Sequence, residues 1–156
     1  MSHDVDRVSA VIRDLRDNGN YDRLIQAIPY ARLLGLSVEL VGGDPITKLG
    51  GADRLIGNPV LPALHGGTVG ALLESAAIFK VLWDGTTIAV PKTITITIDY
   101  LRSARVVDTY ARASITKHGR RVANVQVRAW QADEGKPIAT ANALFLLKTT
   151  EPRSTA

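Results

Sequence analysis

The chain has no cysteine. Disulfides, thiolate metal sites and a cysteine nucleophile are therefore excluded, and nothing in its residue usage marks an oxidising compartment. Any site must work with oxygen and nitrogen groups. Aromatics are also scarce, with two Trp, four Tyr and two Phe, too few to suggest a stacking platform for single-stranded nucleic acid. Charge is only mildly unbalanced: 19 Lys plus Arg against 15 Asp plus Glu leave +4. The arginines are scattered, unlike the dense clusters of a dedicated nucleic-acid binder. A phosphorylated small ligand suits that surface, and no nucleic-acid partner is expected. No charge-free run approaches the ~20 residues that a membrane span needs. The segment Met1-Ser-His-Asp-Val-Asp-Arg-Val8 lacks a basic stretch followed by an apolar one. The expectation is a soluble, cytoplasmic protein with no membrane partner.

What remains is enough for one domain of ordinary size with a substantial core. Val8, Val11, Ile12 and Leu15, then Leu24 and Ile28, recur at helical spacing around an Asn18-Gly19-Asn20 break. This predicts two short surface helices ending at Pro29. Leu36 to Val41 alternates like a strand, Gly42-Gly43-Asp44-Pro45 reads as a turn, and a weaker strand follows from Ile46 to about Leu49. From Thr68 to Trp83, Glu74 is the only charge before Lys80, which predicts a helix buried on nearly all sides. Downstream, Thr93-Ile-Thr-Ile-Thr-Ile98 alternates strictly. Three more β-rich stretches follow, near residues 106–116, 122–132 and 138–148, joined by turn-like His118-Gly119-Arg120 and Asp133-Glu-Gly-Lys-Pro137. A long apolar helix followed by consecutive antiparallel strands is an α+β arrangement, with the sheet curving around the helix. Residues 1–28 form a helical extension, 29–150 the main domain, and 151–156 a tail expected to fray.

Chemistry concentrates on two features. Glu74, among Leu72, Leu73, Ala76 and Ala77, would cost several kcal/mol if ionised and left unpaired. Its helical neighbours Gly70, Ala71, Ala77 and Ile78 offer no hydrogen bond, so a partner must come from elsewhere in the fold. Such a carboxylate serves either as a general base or as a structural group capped by amides or an arginine. His65-Gly66-Gly67 stands just ahead of the helix. Two glycines there let a ligand approach backbone N–H groups at the positive end of the helix dipole, as an oxyanion site requires. The plainer alternative is a simple loop-to-helix turn. Seven residues separate Gly67 from Glu74, about 10 Å of helical rise, too far for both to address one carbonyl. If both act in one site they come from different chains, and a twofold dimer supplies that arrangement.

Asn58, Leu64-His-Gly-Gly67, Leu72-Leu73-Glu74, Tyr100-Leu-Arg-Ser-Ala104 and Gly119-Arg120 together resemble the PaaI-like branch of hotdog-fold acyl-CoA thioesterases. The resemblance extends from about Pro29 to Leu147. It implies a hotdog fold, a long central helix wrapped by a curved antiparallel sheet, and hydrolysis of an acyl-CoA to free acid and CoA. It places the general-base or nucleophile role on Glu74, nine positions after His65. The oxyanion donor falls on Gly66 or Gly67, with His65 and Asn58 shaping the turn and the water site. Thr93 matches a hydroxyl that helps hold the attacking water. Positive residues at strand ends, here Arg102, His118, Arg120 and Arg121 beside Gly119, are implied for CoA, and Leu61, Leu73, Ala77 and Phe79 are candidates for the acyl pocket. The expected assembly is a homodimer, or a dimer of dimers. No metal or cofactor is expected, CoA entering as part of the substrate. Two other readings stay open: a non-catalytic acyl- or CoA-binding protein, and a β-hydroxyacyl dehydratase, against which the intact His-Gly-Gly argues.

Overall fold

The computed structural model describes residues 2–85, 87 and 89–148, and of residues 2–6 the backbone alone. The tail 151–156 lies outside the described residues. Three helices come first: α1 (Ser2–Asn18), α2 (Tyr21–Ala27) and α3 (Pro29–Leu34). The third departs from expectation, in which Pro29 is a terminator. Proline also suits the first helical position, where its fixed φ is already helical and its missing N–H is no loss. The extension is not confined to the surface either. Ile12, Leu15 and Leu24 are at most 1% exposed and belong to the core.

The strands are β1 (Leu36–Val41), β2 (Asp44–Leu49), β3 (Ile56–Asn58), β4 (Ala63–Leu64), β5 (Lys92–Tyr100), β6 (Thr109–His118), β7 (Val122–Trp130) and β8 (Ala139–Leu146). Six of them form one sheet in the order β1-β2-β6-β7-β8-β5, with every pairing antiparallel. The small β3–β4 ladder stands apart. Against the sheet lies α4 (Gly66–Asp84), the central helix. The face of the sheet turned toward it is rich in alanine: Ala111 and Ala113 on β6, Ala123 and Ala129 on β7, Ala139, Ala141 and Ala143 on β8, all buried. Small residues on the sheet leave room for large ones on the helix, such as Leu72 and Leu73 at 0% exposure, while Phe79, at 1%, meets Tyr21 of α2. Each such burial stabilises by about 1.5–3 kcal/mol. The expected α+β hotdog arrangement is thus present. Arg16 of α1 closes over the end of α4, its Nε donating to the Leu82 carbonyl at 2.8 Å and its terminal nitrogen to the Thr87 carbonyl.

Two details of this frame position the site. The first is that α4 begins two residues earlier than its apolar pattern indicates, so Gly66 and Gly67 lie in its first turn. Glycine is a poor helix former, which masks the start. The second is a β-bulge in β5. Thr93 pairs with Phe145 and Thr95 with Leu144, so two steps along β5 match one along β8. In a regular strand Thr93 would share a face with Thr95 and Thr97. The extra residue, Ile94, turns Thr93 onto the opposite face, with Ile96 and Ile98, toward the helix.

Candidate active site

The helix starts at His65, which sits in extended backbone as its N-cap. Its Nδ1 accepts a hydrogen bond from Gly67 N–H at 2.9 Å, and its carbonyl accepts from Thr68 N–H at 2.9 Å and Val69 N–H at 3.2 Å. Of the four orphan donors that a helix N-terminus leaves, those of Gly67 and Thr68 are thereby satisfied and His65 N–H donates to the Leu55 carbonyl at 2.8 Å, while Gly66 N–H is left without a partner among the described residues. Gly66 lines a cavity of about 410 Å³ together with Tyr100, Arg102 and Ser103, with Val69 and Ile138 as apolar wall. The expectation of an oxyanion donor at Gly66 or Gly67 therefore narrows: Gly67 N–H is already engaged.

Gly57 holds this turn from below. A Cβ there would meet the His65 Cα at 2.6 Å, and backbone cannot yield that far, so only glycine lets β3 pass so close. In the sequence Gly57 is no more than a loop signal. Its neighbour Asn58 accepts from Val60 N–H at 3.0 Å and Leu61 N–H at 3.3 Å, shaping the loop into β4. No hydrogen bond links Asn58 to Glu74 or Thr93 within the protomer.

Along α4, Gly66, Gly70 and Glu74 recur every fourth residue and so share one face. That face meets β5. A Cβ on Gly70 would lie 3.0 Å from Ile98 Cδ1 and 3.6 Å from the Tyr100 hydroxyl. Two glycines thus let β5 approach, and Thr93 reaches the carboxylate: its Oγ1 donates to Glu74 Oε1 at 2.5 Å. This is the external partner that Glu74 requires. No cation pairs with Glu74 among the described residues, so the arginine-capped alternative is not realised. Glu74 is only half-buried, as are its helix neighbours Ala71, Ser75 and Ile78, so the carboxylate is not sealed from solvent.

The other candidates divide between the two ends of α4. Arg102 lies at the N-terminal end, its Nη1 donating to the Pro137 carbonyl at 2.5 Å while it lines the Gly66 cavity. His118, Gly119, Arg120 and Arg121 form the β6–β7 turn at the other end, with His118 beside Gly85. Arg121 lines a second cavity, about 460 Å³, with Lys92, Lys148 and the apolar Val90, Leu146 and Leu147. Lys92 and Lys148 are additions to the expected cations, although both stand at strand ends. Leu73, Ala77 and Phe79 point into the protomer's own core, whereas Leu61 is 68% exposed. Lys80, which the sequence marks only as the next charge, is buried and bridges Asp44 at 2.6 Å and Asp84 at 2.9 Å. No group of three or more His, Asp or Glu arranged to hold a metal occurs among the described residues, and none of their helices is long and apolar enough to cross a membrane.

Residues 58–146 match the family model described as acyl-CoA thioesterase N-terminal domain. Among solved structures, a protein from Chromobacterium violaceum is 39% identical with a TM-score of 0.72, covering 90% of this chain and 98% of its own. A phenylacetic acid degradation-related protein from Ralstonia eutropha JMP134 is 28% identical, TM-score 0.66, covering 81% and 98%. A thioesterase from Haemophilus influenzae, at 20% identity, shares the fold with a TM-score of 0.72 over 87% of this chain and 93% of its own. No curated protein matches.

Proposed function

The chain belongs to the acyl-CoA thioesterase family, and from that premise we propose that each active site joins Gly66 N–H of one protomer to Glu74 of its partner. The observation that carries this reading is a free backbone donor and a carboxylate without a cation on one continuous helix. They are eight residues apart, about 12 Å of rise. One thioester carbonyl cannot span them, whereas an isologous pair brings the start of one helix beside the middle of the other.

The sheet edge supplies a route to that pairing. β5 is nine residues long, pairs only with β8, and exposes Ile94 at 53% and Tyr100 at 55%. A long unpaired edge is a template for another strand. Antiparallel pairing of β5 with its copy sets the Lys92 end of one protomer against the Tyr100 end of the other. The cavity with Lys92, Arg121 and Lys148 then lies toward the partner's Gly66 and Arg102, and its cations receive the phosphates of CoA.

The thioester oxygen accepts from Gly66 N–H, which strengthens as the carbonyl becomes an oxyanion. Glu74, held by Thr93, takes a proton from water, and the resulting hydroxyl attacks the carbonyl carbon. Collapse of the tetrahedral intermediate breaks the C–S bond, CoA leaves as thiolate, and the carboxylic acid remains. Direct attack by Glu74, giving an anhydride that water opens, uses the same residues. Oxygen-18 from solvent water appears in Glu74 after a single turnover only on that second route.

A panel of acyl-CoAs with wild type and Glu74→Ala tests the reading. The substitution should lower kcat by about 10²–10⁴ on every substrate with little change in KM. Full activity in Glu74→Ala would overturn it. Gly66→Pro removes the proposed donor at a position that tolerates proline, after a residue already extended. It should cost about 10²–10³ in kcat. Mixing the two inactive proteins restores activity only if the site is shared, because one of the two sites in a mixed dimer then has both groups intact.

A further inference from the structure

Gly66-Gly67 is a loose way to begin a helix, since each glycine gives up about 1 kcal/mol relative to alanine and leaves the turn free to fray. Yet an oxyanion donor is useful only if it is already aimed when charge develops. His65 orients the first peptide, its carbonyl held by Thr68 and Val69 N–H. The second peptide, between Gly66 and Gly67, is gripped at both ends. Its N–H donates to His65 Nδ1 at 2.9 Å, and its carbonyl accepts from the Tyr100 hydroxyl at 2.7 Å. Tyr100 comes from the last residue of β5, and its ring lies 3.4 Å from where a Gly66 Cβ would be. Gly70 keeps the space beside the hydroxyl clear.

We infer that Tyr100 is a positioning residue for this reaction, its hydroxyl bracing the Gly66–Gly67 peptide so that Gly66 N–H stays aimed into the cavity. The Tyr100-Leu-Arg-Ser-Ala104 motif thereby acquires a role beyond strand termination. The hydroxyl transfers no proton and touches no reacting atom. It also polarises the peptide it grips, which strengthens the Gly67 N–H bond to His65 and links strand end, helix start and cap in one relay. This inference rests on the reading of Gly66 as the donor.

Tyr100→Phe keeps the ring and removes the brace. The loss of one such hydrogen bond should lower kcat by up to about tenfold, with KM and melting temperature nearly unchanged. Backbone amide exchange at Gly67, whose N–H is bonded to His65, should accelerate, and the Gly67 N–H resonance should move upfield. In a Gly66→Pro background the same substitution should cost no further kcat, because no donor is left to aim; a merely structural contact would cost the same in both. If Glu74→Ala and Gly66→Pro are inactive while Tyr100→Phe keeps full kcat, the inference fails and the reading of the site stands. If those two variants stay active, the reading fails, and the exchange data decide alone: an unchanged Gly67 amide overturns the brace.

Discussion

The central helix has two faces that answer different demands. Away from β5, Leu72, Leu73, Ala76 and Phe79 are at most 3% exposed and join the core formed with the alanine-lined sheet and Tyr21 of α2. On the β5 side Gly66, Gly70 and Glu74 succeed one another, the first and last half-buried, with Tyr100, Ile98 and Thr93 opposite. The first face uses large side chains and excludes water. The second gives up side chains so that a strand comes close, and keeps one carboxylate. On the proposed mechanism, stability resides on one face and chemistry on the other, and substitutions should separate the two.

The largest separation is expected from Phe79, which is 1% exposed and meets Tyr21 edge-on with centroids 6.1 Å apart. Phe79→Ala should cost about 3–5 kcal/mol of stability through lost burial and the cavity left behind, yet leave kcat per folded molecule within a few-fold. Chemical denaturation beside active-site titration checks both halves. A large kcat loss in the folded fraction would show that the two faces are coupled.

Thr93→Val makes the converse cut. Valine matches threonine in shape and suits a strand, so the melting temperature should hold. A hydrogen bond to a charged group is worth about 1.5–3 kcal/mol, so kcat should fall by about ten- to a hundredfold. Thr93→Ser, which keeps the hydroxyl, should recover most of it.

The two faces also differ in how legible they are in the sequence. The sheet face announces itself through apolar density from Val69 to Leu82, and the strands of the main sheet through alternation, so the helix, those strands and the carboxylate are legible, whereas β3 and β4 lie where Gly57-Asn58-Pro59 and Leu61-Pro62 read as loop. The partnership of Thr93 with Glu74 is legible only through the family resemblance. Strict alternation sets Thr93 with Thr95 and Thr97, on the face away from the helix. The bulge that reverses it depends on pairing with Phe145 and Leu144, which no local pattern encodes. The same holds for Gly57, whose necessity comes from His65 passing 2.6 Å from its would-be Cβ. Gly66 and Gly67 look like a turn because their helical start depends on a side-chain cap, not on propensity. Pro29 misleads for a related reason: one residue type both ends helices and begins them, and the choice rests on whether the residues after it can bury an apolar face, as Ala31 and Leu34 do.

The smallest effect belongs to the lysine that closes the sheet face. Lys80 is 8% exposed and bridges Asp44 and Asp84. Burial works to lower its pKa, but hydrogen bonds to the two carboxylates outweigh that and hold it above the usual lysine range. The hydrogen bond from Lys80 holds the Asp44 carboxyl below the usual carboxylate range. A lowered carboxyl contributes stability above its unfolded value, about 3.9, and loses it as pH falls through the folded value; a raised lysine contributes below about 10.4 and loses it as pH rises. Because the Asp44 side chain is 51% exposed, solvent screening leaves at most about 1 kcal/mol. Asp44→Asn should therefore destabilise by no more than that between about pH 5 and pH 9, values well inside the unfolded limits of about 3.9 and 10.4. The difference from wild type should shrink to nothing as the carboxyl protonates. Catalysis should be untouched across the same range, since Asp44 reaches α4 through Lys80, away from the proposed site at Glu74 and Gly66. A parallel loss of kcat in Asp44→Asn would mean that Lys80 transmits strain through the helix to Glu74.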